Sequence, residues 1–336
     1  MNAKRWWAIL IAGLLVIVSI GFQTLFSIIN SNFTEAFNSA AGTSLMSEEI
    51  MEDGNPMNRI AVLHVEGTIQ DTGEESSSIL GSATYNHNTF LERLEAAGQD
   101  DTVGGVIIEV NSPGGGVVES AEIHDKVVEI QEEYGKPVYI SMANTAASGG
   151  YYLSASANKI VAHPATITGS IGVIMSTVNY AELADKIGIK QEVIKSAEHK
   201  DIMSATRDMT DEERAILQSI IDDMYADFVQ VIVDGRGIAK DKVRELGDGR
   251  IYSGKQALDN GLVDDLGDLE DTIAMMKEEQ GLKDAEVFEY TGDGFGMGSF
   301  WATAAEGLFV SDTDLLGIKE LMGKSNSPEA MYLYAE

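Results

Sequence analysis

PVYISMANTAASGGYYL, residues 137–153, is the stretch whose reading decides the fold. PVYISMA (137–143) reads as a strand, and the small residues after it suit the start of a helix. Ser148 then falls on the turn between the two, where a tight strand-to-helix connection presents a hydroxyl outward. Gly149 and Gly150 let other backbone come close to it. The first N–H groups of a helix lack intrahelical partners, and together with the positive dipole end they favour an oxyanion bound beside that hydroxyl. Ser148 is the candidate nucleophile.

On either side the chain repeats the same grammar. RIAVLHVEGTI (59–69) reads as a strand and NTFLERLEAAGQD (88–100) as a helix. GGVIIEVNSPGGG (104–116) is a buried-type strand running into a glycine turn. ESAEIHDKVVEIQEEYGKP (119–137) carries Ile123, Val127, Ile130 and Tyr134 at helical spacing and stops at Gly135 and Pro137. KIVAHPATITGSIGVIMS (159–176) is a strand and another glycine turn. VNYAELADKIGI (178–189) is a helix and KQEVIKS (190–196) a strand. Residues 210–237 form a long helix opened by a Thr210/Glu213 capping box, with apolar spacing at Ile216, Ile220, Met224 and Phe228. A turn, short helix, short strand and closing helix over 249–282 and a strand at 285–290 complete an α/β alternation.

Upstream, WWAILIAGLLVIVSIGFQTLFSII (6–29) has about 24 residues without a charge, enough at ~1.5 Å per residue to cross a ~30 Å hydrocarbon core. It is long for a cleaved signal peptide, so an uncleaved transmembrane helix is expected. Lys4 and Arg5 precede it, and no Lys or Arg follows until Arg59. That asymmetry places residues 1–5 in the cytoplasm and the bulk of the chain outside it, as a single-pass protein of the cell membrane. Residues 30–58 read as a polar spacer, 59–290 as the folded domain and 291–336 as an irregular tail.

With 23 Lys+Arg against 54 Asp+Glu, a formal charge of −31, nucleic acid is excluded as a partner. The acids lie in short clusters without metal-ligand spacing, so neither a metal nor a cofactor is expected. The absence of cysteine removes thiol nucleophiles and disulfides together. A serine hydroxyl needs a base. Of the five histidines, His64, His87, His124 and His163 show no triad signature, and only His199, in AEHKDIMSA (197–205), stands among other polar candidates.

Three glycine-bearing turns, NSPGGG (111–116), NTAASGG (144–150) and TGSIG (168–172), each follow a strand. Singly they are weak. In this order, with GRIYSGKQALDNGLVDDLG (249–267) and the N-terminal anchor, they resemble the bacterial signal peptide peptidase family A, membrane-anchored serine peptidases that degrade remnant signal peptides. The resemblance covers roughly residues 59–280. It implies a ClpP/crotonase-like fold of repeated strand–strand–helix units and a Ser–Lys dyad, with Ser148 as nucleophile and Lys200 as general base. It further implies Ser170 as the hydroxyl that orients the lysine, and Gly115 and Ser148 as oxyanion N–H donors, the glycine within Gly114–Gly116 staying open. The partners it implies are hydrophobic peptides and a homo-oligomeric ring, an octamer. Whether Ser and Lys of one site come from one or two subunits also stays open.

The physics of such a dyad stands apart from the family. A lysine is a base only when neutral, and moving its pKa from ~10.4 to near 7 takes roughly 4.6 kcal/mol of differential destabilisation of the ammonium. Ile202 and Met203 beside Lys200 suit that, whereas the carboxylate of Asp201 opposes it unless its side chain points away. A His199–Asp201 pair acting on Ser148 is disfavoured, because the two flank Lys200 and Asp201 could not support a histidine that also reaches the serine. Two rival readings are a crotonase-like acyl-CoA enzyme and a non-catalytic ring-forming scaffold. Finally, EAMYLYAE (329–336) is apolar for a chain end. Two readings stand: a tail docked on its own or a neighbouring subunit, or one that visits the protein's own peptide groove, where Met331, Leu333 and Ala335 would face one way.

Overall fold

The computed structural model describes residues 47–71, 85–291 and 330–334. The expected anchor at 6–29 and Ala335 lie outside them, as does most of the tail; among the described residues no helix is long and apolar enough to cross a membrane. The chain divides into two compact units, and the fold set out here is that of the larger, residues 49–290 with 297–336.

In chain order the strands and helices are β1 (Ser47–Glu52), β2 (Asn55–Glu66), α1 (His87–Gln99), β3 (Val103–Ser112), β4 (Gly114–Gly116), α2 (Val117–Glu132), β5 (Val138–Ala147) and α3 (Gly149–Ser154). Then follow β6 (Lys159–Ala162), β7 (Ile167–Gly169), α4 (Ala181–Lys186), α5 (Asp211–Arg236), α6 (Lys240–Leu246) and β8 (Ile251–Ser253). The last are α7 (Gly254–Asn260), β9 (Asp265–Leu266), α8 (Leu269–Glu279), β10 (Ala285–Thr291) and β11 (Met331–Leu333). The main sheet runs β1-β10-β2-β3-β5-β6-β9, with β7 on β5 and β8 on β7. From β10 to β9 its neighbours pair in parallel, and β5 lies inside it between β3 and β6. This is a mixed α/β fold built on a large, mostly parallel sheet, whose crossover helices bury the strands on both faces.

The apolar periodicities explain the packing. Ile123, Val127 and Ile130 of α2 are fully buried, each contributing about 1.5–3 kcal/mol against its exposed state. On one face Ile60, Val62, Ile107 and Tyr139 pack under Ile273 and Met276 of α8. The α5 capping box is present, Thr210 Oγ1 accepting from the Glu213 N–H at 3.1 Å and Glu213 Oε2 from the Thr210 N–H at 3.0 Å. Of the apolar row predicted on α5, Phe228 is buried, but Ile216 and Ile220 are each 38% exposed. Two expectations fail between 170 and 210. The predicted helix over 178–189 shrinks to α4, and 190–196 is no strand. Each of its residues is exposed and no neighbouring strand accepts its backbone, so a β-like composition forms no ladder there.

Where β2, β3 and β10 run side by side, His64 Nδ1 meets Glu109 Oε2 at 2.9 Å and its Nε2 meets Glu289 Oε2 at 2.8 Å. The Glu109 contact raises the His64 pKa above its ordinary value, burial opposes it and Glu289 adds to the rise. A histidine whose folded pKa is raised contributes stability that is complete below about pH 6.5 and lost as pH rises through the folded value. His64→Gln should therefore lower the melting temperature by about 2–4 °C at pH 6, and the deficit should shrink by pH 9. Calorimetry at both pH values checks it; a deficit independent of pH would remove the charged clamp.

Candidate active site

Ser148 sits where β5 gives way to α3, at the carboxyl end of the parallel sheet, with φ 53° and ψ −115°. That conformation is strained for a residue with a side chain, costing about 1–3 kcal/mol, and the surroundings hold it in place. The Ser148 N–H donates to the Gly169 carbonyl at 2.8 Å, and the Ser148 carbonyl accepts from Tyr151 and Tyr152 at 2.9 and 2.8 Å. The residue is buried, and its hydroxyl has no hydrogen-bond partner among the described residues. A buried hydroxyl left without a partner is costly in a purely structural role.

Two loops close on this turn. Beside β7, Ser170 follows Gly169 with φ 49°, is buried, and donates its N–H to the Arg250 carbonyl at 2.8 Å. β4 lies on the other side, its Gly114 N–H held by Ser112 Oγ at 3.0 Å and its Gly116 N–H by the Ile69 carbonyl at 2.8 Å. A Cβ on Gly149 would meet Ser120 Oγ at 2.4 Å and the Gly115 nitrogen at 3.2 Å, so only glycine fits at the start of α3.

The Ser148 N–H, expected as an oxyanion donor, donates to the Gly169 carbonyl. The next amide, that of Gly149, stands in the first turn of α3, where an N–H has no intrahelical acceptor.

Lying along β4 is β11, antiparallel, with Met331 opposite Gly116, Tyr332 opposite Gly115 and Leu333 opposite Gly114. Tyr334 donates its N–H to the Pro113 carbonyl at 2.8 Å. Alternation along an antiparallel ladder then makes Tyr332 and Gly115 a pair exchanging both hydrogen bonds. On its other edge Met331 exchanges N–H and C=O bonds with Ile174, both 3.0 Å. A Cβ on Gly114 would strike the Tyr332 carbonyl oxygen at 2.1 Å and the Gly149 nitrogen at 2.6 Å, so that carbonyl stands beside the first amide of α3. The Tyr332 ring is stacked on Tyr152 at 4.9 Å and tilted against Phe228 at 4.7 Å. Its hydroxyl donates to the Met224 carbonyl at 3.1 Å. The expected parity of the tail is thus off by one residue: Tyr332 is buried, while Met331 and Leu333 are half-buried. Partner register, which the tail's own sequence does not contain, decides which face turns inward.

Lys200 is not brought to Ser148 within one chain by any contact. It lies in a 3-10 turn, Glu198–Asp201, is exposed, and its amine has no partner among the described residues. His199 approaches Glu212 and Glu213 only at 3.9 and 3.8 Å, and Asp201 is bound elsewhere, so the His199–Asp201 pair does not form. Among the described residues no group could hold a metal ion.

The family model for peptidase family S49 matches residues 130–283, a span holding Ser148, Ser170 and Lys200. Over 99% of this chain and 99% of its own length, a candidate signal peptide peptidase SppA of Enterococcus faecium is 40% identical. The chain belongs to peptidase family S49. Protease 4 of Haemophilus influenzae is 32% identical over 84% of this chain and 48% of its own length. The chloroplastic serine protease SPPA of Arabidopsis thaliana is 32% identical over 66% of the chain and 32% of its own length. The chain spans about half of the one and just under a third of the other of these two longer relatives.

If aromatic burial holds the S49 tail in place, Tyr332→Asp should free it. Hydrogen exchange at the Gly115, Met331 and Ile174 amides should then rise at least about tenfold, with protection in β3 and β5 unchanged. Unchanged exchange at Gly115 would mean that the tail does not lie there.

Proposed function

We propose that this S49 serine peptidase is a membrane-anchored endopeptidase that cuts hydrophobic peptides, remnant signal peptides above all, with Ser148 as nucleophile and Lys200 as general base. One observation carries the reading: a buried, unpartnered, strained serine hydroxyl beside an extended peptide strand paired to glycine backbone. The reading goes with a ClpP/crotonase-like domain, an N-terminal anchor at 6–29 and an extracytoplasmic site.

The chemistry follows in two halves. A neutral Lys200 amine takes the Ser148 proton as Oγ attacks the peptide carbonyl, and the oxyanion is held by the N–H groups of Gly115 and Gly149. Collapse breaks the C–N bond, the lysine returns its proton to the leaving amine, and the peptide leaves an acyl group on Ser148. Water, its proton taken by the same amine, releases the acyl group. Ser170 orients the amine.

A neighbouring subunit is the natural source of that amine. Lys200 stands free, and in the stretch of chain before it Val178, Leu183, Ile187, Ile189 and Ile194 are each more than half exposed. Large apolar side chains exposed in such number mark a surface that a partner covers. A ring of copies, eight by family resemblance, buries it and carries each lysine to the next serine.

In this reading β11 lies as a substrate would, Tyr332 before the bond to be cut and its ring in the aromatic pocket. Ser148→Ala and Lys200→Ala should each lower kcat/KM by about 10³-fold or more, with assembly retained. Co-assembling the two inactive variants should restore part of the activity; no restoration means that serine and lysine come from one subunit. Mass spectrometry should find wild-type chains ending at Tyr332 and the Ser148→Ala protein full-length. Because the base must be neutral, kcat/KM should rise between about pH 6 and 9, and an acid-side optimum would indicate another base.

A further inference from the structure

The side chain that most complicates Lys200 as a base is its neighbour Asp201, because a carboxylate within ~4–6 Å favours an ammonium. The structure shows where that carboxylate goes. Arg207 grips it as a fork, Nη2 to Oδ1 at 2.8 Å and Nε to Oδ2 at 3.0 Å, and Lys195 Nζ joins Oδ1 at 2.6 Å. Arg207 also donates to the Asp201 backbone carbonyl at 3.2 Å. Its other edge holds Glu213, Nη1 to Oε2 at 2.8 Å and Nη2 to Oε1 at 2.5 Å, and Nη1 reaches the Asp208 carbonyl at 3.0 Å. Glu213 is itself buried in the capping box that opens α5. One guanidinium thus ties the lysine-bearing turn to the first turn of the 26-residue α5.

We propose that Arg207 is a positioning residue for the reaction: it fixes the Glu198–Asp201 turn on α5 and keeps the Asp201 carboxylate away from the Lys200 amine. This rests on the reading of Lys200 as the base. The charged and titratable groups round the Lys200 amine are Lys195 before the turn, Glu198, His199 and Asp201 within it, Arg207 and Asp208 after it, and Glu212 and Glu213 on α5. Asp201 and Glu213 are both engaged by Arg207, which holds each carboxyl below the usual carboxylate range, Asp201 with help from Lys195. The bidentate geometry matters, since a lysine at 207 could neutralise Asp201 but could not span both carboxylates in one plane.

The test is the pH dependence of kcat/KM for a short peptide, with the full chain in its assembled state. Arg207→Gln should move the midpoint of the alkaline rise up by about one pH unit and cut activity at pH 7.5 about tenfold, with KM little changed. Adding Asp201→Asn to Arg207→Gln should return the midpoint toward wild type, because the freed carboxylate is then gone. Arg207→Lys should keep the wild-type midpoint with a smaller loss of kcat. Should Arg207→Gln prove unstable, Lys195→Gln, which removes the second cation from Asp201, should shift the midpoint the same way by a smaller step. A uniform loss at every pH, or a midpoint that neither Arg207→Gln nor Lys195→Gln moves, overturns the proposal while Lys200→Ala stays inactive. Full activity in Lys200→Ala would instead overturn the reading of the base itself.

Discussion

The hydrogen bond from the Ser148 amide to the Gly169 carbonyl is what the rest of the site depends on. It holds the serine at a positive φ, with its hydroxyl left without a hydrogen-bond partner among the described residues. The parallel sheet supplies the rigidity. β5 is paired to β3, β6 and β7, so the strain at its end is held by several ladders at once. Strain of this kind persists only where the surroundings over-determine it.

A contrast runs through the molecule between this over-determined end of the sheet and the segment from 174 to 208. There the chain makes little regular structure and exposes most of its large apolar side chains, and Arg207 with its two carboxylates ties it to α5. Ser148 and Lys200 thus stand in different mechanical regimes, one held by several ladders and the other on an exposed turn. If Lys200 is the proposed base, its placement depends on what covers that turn.

Legibility in the sequence followed the range of the interactions. The strand-to-helix turn at Ser148, the burial of Ile123, Val127 and Ile130, and the Thr210/Glu213 box were readable because each depends on residues a few positions apart. The engagement of the Ser148 amide was not legible. The sequence shows which residues are small but not which carbonyl has already claimed an N–H, and Gly169 lies 21 positions downstream. The parity of Met331–Leu333 failed for the same reason, its partner being more than 200 residues away. KQEVIKS has the composition of a strand, yet pairing is a property of two segments, and no second one lies beside it. His64 showed no signal at all, since Glu109 and Glu289 meet it only through sheet register.

The three glycines of β4 offer the paired strand no side chains, only peptide groups, so β4 itself distinguishes little beyond whether a residue has an N–H to give. Proline alone has none. The amides of Met331, Tyr332 and Tyr334 each face a carbonyl, of Ile174, Gly115 and Pro113 respectively. A chain laid in the same register is therefore held to two conditions: an N–H at each of the three positions, and at the middle one a side chain that fits against Tyr152 and Phe228.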